Sequence, residues 1–142
     1  MRSERLQRII ELKERLMEEK ERLLDQHVRK RNAIHSNIEG LDDEINGNYS
    51  DLCTRCLDGN EFTSLMGYLE HLKRVKAEAL TQKALLEEKI ALVRAELYEM
   101  FKEIKTLDTL KKKTSSAAKR AENKKLQKLL DEIALRLDTR KI

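Results

Sequence analysis

Phe62, Leu65, Leu69, Leu72, Lys76, Ala79, Lys83, Leu86, Ile90, Val93, Leu97, Met100, Ile104, Leu107, Lys111, Thr114, Ala118 and Ala121 follow one another at alternating steps of three and four residues. No step is skipped in this series. A straight helix drifts by about 20° per heptad against such a repeat, so a seam kept this long requires a helix supercoiled around a partner. The first question is therefore where that partner lies.

Upstream, apolar residues also recur at helical spacing: Leu6, Ile9, Ile10, Leu16, Leu23, His27, Ile34, Ile38, Leu41, Ile45 and Leu52. Ser3 is suited to cap the start of this helix by accepting a backbone N–H. The apolar series changes phase between Leu23 and Ile38, which predicts a stutter or local unwinding there. Asn46-Gly47-Asn48 is a second weak point, since Gly costs a helix about 1 kcal/mol relative to Ala. The strongest stop is Asp58-Gly59-Asn60: Gly59 suits a left-handed residue after a helix, and Asn60 a cap on the next. Helices joined by so short a turn run antiparallel. The sequence thus predicts an all-α fold, a two-helix antiparallel coiled-coil hairpin in a single unit over residues 1–142. Helix one spans about 3–57, the turn 58–60, and a longer helix two about 61–139. Folding about Gly59 places Ser3 beside Ser115 and matches helix one along about 80 Å at 1.5 Å per residue. Residues 116–142 then project past it.

Composition agrees with this reading and narrows the function. Among 142 residues 39% are charged, 4% are aromatic and none is Pro, so apolar atoms must lie in stripes rather than in a thick core. No apolar run reaches the roughly 18 residues of a membrane span, and the opening residues lack a signal peptide's apolar region. A cytoplasmic setting with reduced thiols and no membrane insertion is expected. The net charge of +4 is unevenly placed. Residues 111–142 carry eleven Lys/Arg against four acids, a surplus of seven, which leaves the first 110 residues at −3. Past Ala121 the heptad positions fall on Lys125 and Lys128, while Leu126, Leu130, Ile133 and Leu137 begin a new stripe. An amphipathic helix with a basic side and an unshared apolar side is a binding element.

Catalytic signatures are missing: no phosphate-binding glycine loop, HExxH or nucleophile elbow occurs, so no enzyme activity and no cofactor are expected. The basic end lacks an aromatic stacking platform, so nucleic acid is not an expected partner. His27 lies on the first seam as a core histidine. Cys53 and Cys56 have the spacing by which two hairpin apices share one tetrahedral zinc, the metal-site alternative here. One hairpin lacks the remaining ligands, because His71 stands opposite Gly47, about 9 Å along the helix. A helical setting without Gly or Pro between the thiols argues against the hook, so no metal site is expected within the chain.

Three segments resemble a known family. Arg5-Leu6-Gln7-Arg8-Ile9-Ile10-Glu11-Leu12-Lys13-Glu14 looks like the opening of the FliJ family, small coiled-coil proteins of flagellar and related type III export systems. Glu61-Phe62-Thr63-Ser64-Leu65-Met66-Gly67-Tyr68-Leu69-Glu70-His71-Leu72 is similar to that family's aromatic and leucine start of the second helix. Lys125-Leu126-Gln127-Lys128-Leu129-Leu130-Asp131-Glu132-Ile133-Ala134-Leu135-Arg136 is similar to its C-terminal pattern. The resemblance implies a stalk that sits in the pore of a hexameric export ATPase, promotes its assembly and activity, and links it to the cytoplasmic domain of a membrane-embedded export gate. It further implies contact with export chaperones and a peripheral place at the cytoplasmic face of the inner membrane. By the same resemblance Leu6, Ile9, Ile10, Lys13, Lys119, Arg120, Lys124, Leu126, Leu130, Ile133 and Arg136 are candidates for the ATPase. Phe62, Leu65 and Leu69 are candidates for the gate. The alternative is a generic coiled-coil adaptor or scaffold.

Overall fold

The computed structural model describes residues 2–140. Two helices account for nearly all of them: α1 over Arg2–Thr54 and α2 over Gly59–Arg140, 53 and 82 residues long. No strand occurs among the described residues. The helices pack against each other as an antiparallel hairpin with the second the longer, as predicted. The chain divides into two compact units, one of Met1–Glu18 with Tyr98–Ile142 and the other of Glu19–Leu97.

Both helices meet within Glu19–Leu97. Ile38, Leu41, Ile45, Leu69, Leu72, Ala79, Ile90 and Val93 are its buried apolar residues. Leu41, Ile45, Leu69 and Leu72 form one cluster, on which Leu52 and Val75 pack. The other unit has a thinner core: Ile10 is buried, and Leu6, Met17, Met100, Ile104 and Leu107 are half-buried around the same seam.

The anticipated stutter in α1 is not there. Its inward residues run 3, 6, 10, 13, 17, 20, 24, 27, 31, 34, 38, 41, 45, 48 and 52, with steps of three and four throughout and no break in the helix. Following apolar residues alone leads to Leu16 and Leu23, which lie beside the seam and are exposed. The seam itself passes through Lys13, Lys20 and Arg31, all half-buried. Long cationic side chains lay their methylenes along an apolar seam and carry the charge to its edge.

Each seam lysine ends on a group of the facing helix. In the unit holding both termini, Lys13 pairs with Glu103 and Lys111 donates to the Gln7 side-chain oxygen. In the other unit Lys20 pairs with Glu96, Lys76 with Asp42, and the Lys83 ammonium lies 3.1 Å from His35 Nδ1. Polar groups at seam positions fix the register of paired helices at some cost in stability. The Lys111–Gln7 contact lies one turn from the anticipated Ser3–Ser115 pairing, and both serines are half-buried. His27 occupies a seam position as expected; its Nδ1 is buried without a hydrogen-bond partner.

The turn lies earlier than the predicted 58–60. The non-helical connection is Arg55–Asp58, and α1 stops where the Arg55 N–H makes its last helical bond, to the Asp51 carbonyl at 2.9 Å. Asp58, rather than Asn60, caps α2: its Oδ1 accepts the Glu61 N–H at 2.7 Å, and its carbonyl accepts the Phe62 N–H at 3.0 Å. Asp58-Gly59-Asn60-Glu61 is thus a capping box in spacing, with the acid at the third helical position. Gly59 opens α2 and no glycine has a positive φ, so the left-handed stop expected there is absent. Asn46-Gly47-Asn48 stays helical, with the Asn48 amide donating to the Glu44 carbonyl at 2.9 Å.

Candidate functional site

In the unit holding both termini, the last half-buried residue of α2 is Ser115, and each residue from 116 to 138 is exposed. The overhang remains helical because it is built of strong helix formers, Ala, Lys, Leu, Glu and Gln, with no Gly or Pro. Within it Leu126, Leu130, Ile133 and Leu137 recur at steps of four, three and four on one stripe, each more than half exposed. Lys119, Arg120, Lys124 and Arg136 are exposed along the same overhang. The basic count of the sequence includes Lys141, which lies outside the described residues.

Just before this stripe, Lys112, Lys113, Arg120 and Lys124 rim a shallow depression floored by Ser116, Ala117 and Ala121. Small side chains between cations let an acidic partner approach closely, and Lys112 is already paired with Asp108 at 3.3 Å. Lys112 and Lys113 belong to the basic surplus of residues 111–142 but, like Ser116 and Ala117, are not among the sequence candidates for the ATPase. Their spacing of three and four held the signal, but attention to apolar residues hid it.

At the start of α1 the four candidates separate. Ile10 is buried, Leu6 is half-buried, and Lys13 is engaged by Glu103, so these three hold the helices together. Ile9 alone presents a substantial apolar surface, at the edge of a shallow groove with Lys102, Thr106 and Leu107.

At the connection end of the Glu19–Leu97 unit, Phe62 is 51% exposed and Leu65 is half-buried. Leu69 is 1% exposed, inside the core cluster, with no surface to offer a partner. An open groove beside them is lined by Asn48, Arg55, Cys56, Leu57, Ser64 and Tyr68 among others. The Tyr68 hydroxyl donates to Glu44 Oε1 at 2.8 Å. That hydrogen bond, with smaller effects of desolvation and of the Glu44 charge, raises the phenol's pKa above its ordinary 10.0. Cys53 and Cys56 are both free and exposed, and no group of three or more His, Cys, Asp or Glu able to hold a metal occurs among the described residues.

What the molecule presents is a braced helix pair, one basic and amphipathic overhang, and an apolar patch beside the connection. These are contact surfaces. A family model described as the flagellar FliJ protein matches residues 1–141. The chain belongs to the FliJ family. Membership makes it a coiled-coil component of the flagellar or type III export type, a structural part of that apparatus, as the three sequence segments had suggested. No curated protein and no solved structure matches the chain. No helix among the described residues is long and apolar enough to cross a membrane.

Proposed function

We propose that the chain is the non-enzymatic central stalk of a flagellar-type export apparatus. In this reading the unit holding both termini enters the pore of the hexameric export ATPase and promotes its assembly and activity. The overhang carries the proposal: it presents an exposed apolar stripe at Leu126, Leu130 and Ile133 and cations at Lys119, Arg120, Lys124 and Arg136 on one uncovered helix. A basic shaft is steered into a pore lined by acids, and apolar contacts then hold it there. Ile9 and the Lys112–Lys113 rim extend this surface. Ile10, Leu6 and Lys13 act from within, by keeping the shaft paired.

The connection end faces the cytoplasmic domain of the export gate through Phe62, Leu65 and the neighbouring exposed Met66, with Leu69 supporting them from the core. Binding there would hold the protein peripherally at the cytoplasmic face of the inner membrane, with export chaperones as further partners. The direct experiment is to add the full chain to a type III export ATPase and follow hexamer assembly and ATP turnover. Both are expected to rise. A chain ending at Ala121 is expected to stay helical and lose the activation. Full activation by that truncation, or no co-assembly by the full chain, refutes the assignment.

A further inference from the structure

The export reading leaves the chain's only two cysteines without a task. Cys53 lies in the last turn of α1, and because α1 ends at Thr54, Cys56 lies outside it in the four-residue connection. The wholly helical setting that argued against a metal knuckle is therefore not met: Cys53 is in the last helical turn, and Cys56 is in the non-helical connection. Both are free and exposed, so neither is a core thiol or half of a disulfide.

Two chemistries use a C-x-x-C pair, and helix polarity separates them. Redox pairs place the attacking thiol at a helix N-terminus, where the partial positive charge stabilises a thiolate. Cys53 sits at the opposite end, where unpaired carbonyls and a partial negative charge favour a cation. The last turn of α1 contains no basic residue to supply one. Asp51 and Asp58 flank the pair against a single Arg55, so the local charge also favours a bound cation. Two thiolates are half of the four-sulfur tetrahedral set that zinc takes in structural sites. The described residues of this chain contain no cluster of three or more ligands that would complete it.

We propose that Cys53 and Cys56 form a half-site for a soft divalent cation, Zn2+, completed by the same two thiolates of a second copy of this chain. The metal then joins two hairpins at their connections. Each thiol gives its proton to solvent as its sulfur binds, four protons per ion, so affinity falls as the pH is lowered. The proposal does not depend on the export reading, and its test involves no ATPase.

The full chain, freed of metal and kept reduced, is titrated with Zn2+ alone while its mass is followed by sedimentation equilibrium. One ion per two chains and a doubling of the metal-free mass are expected, reversed by chelator. Co2+ in place of Zn2+ is expected to give the intense charge-transfer bands of four thiolates in a tetrahedral field. Cys53→Ser and Cys56→Ser, both at exposed positions, are each expected to abolish the doubling while far-UV circular dichroism stays unchanged. No uptake, one ion per chain at unchanged mass, or doubling that survives either substitution overturns the site. So does a dimer insensitive to chelator but dissolved by a thiol reductant, which is a disulfide.

Discussion

Leu69 and Leu130 are the same residue type at helical stripe positions of α2, yet their substitution by Ala should have opposite consequences. Leu69 is 1% exposed and enclosed by Leu41, Ile45 and Leu72, whereas Leu130 is 59% exposed on the overhang. Truncating a buried leucine removes its transfer free energy and leaves a cavity, together about 2.7–5 kcal/mol in well-packed cores. A two-helix seam can close over part of that cavity, which puts Leu69→Ala near the lower end, about 3 kcal/mol. That is roughly two orders of magnitude in the folding equilibrium, a large fraction of what a small domain possesses. Leu130→Ala loses little burial and should stay within about 0.5 kcal/mol of the parent. Urea unfolding followed by far-UV circular dichroism measures both. Hydrogen exchange of the Leu41–Ile45 amides reports whether the Leu69 loss is local to that cluster. Stimulation of the export ATPase should show the reverse order, with Leu130→Ala the weaker activator at temperatures where both variants are folded. Equal destabilisation by the two substitutions would mean that the overhang is packed, and the reasoning from its exposure would be wrong.

Gly47→Ala should stabilise the protein by about 0.5–1 kcal/mol, because the residue is helical and an added Cβ meets nothing within 4 Å; a loss of stability in urea would show that the helix bends there. Tyr68 should ionise above the ordinary 10.0 in an alkaline absorbance titration, and Glu44→Gln should lower it toward that value. With the folded pKa raised, the Tyr68–Glu44 bond contributes stability in full below the unfolded pKa and loses it as pH rises through the folded value. Unchanged ionisation in Glu44→Gln would show the bond to be unformed in solution.

Much of the hairpin was legible because a heptad repeat is a long, redundant signal. The series from Phe62 to Thr114 is the inward face of α2 with the single exception of Phe62, and the last members of the repeat, Ala118 and Ala121, are exposed because pairing stops after Ser115. The seam of α1 was harder to read because charge and burial are not opposites for lysine and arginine. Lys20 and Arg31 stand inward while Leu16 and Leu23 stand outward, so ranking by hydropathy reversed their places. The connection was misplaced because Gly59 drew the eye as a helix stop, although Asp58 two residues before Asn60 supplied the cap. The family resemblance places Leu69 with Phe62 and Leu65 at the gate-facing end; a shared stripe marks a face but does not tell how near the end of the pair a residue lies, and hence whether it is covered.

A cell contains many heptad helices, and an apolar stripe accepts nearly any of them. The five seam lysines, Lys13, Lys20, Lys76, Lys83 and Lys111, change that for this chain. Each finds a carboxylate, amide or imidazole at one matching place, and a foreign helix without that pattern would leave half-buried ammonium groups without a partner. The same side chains that weaken the hairpin therefore disfavour promiscuous pairing along the seam, whereas Leu126, Leu130, Ile133 and Leu137 lie past the seam's last cation, where no such check applies.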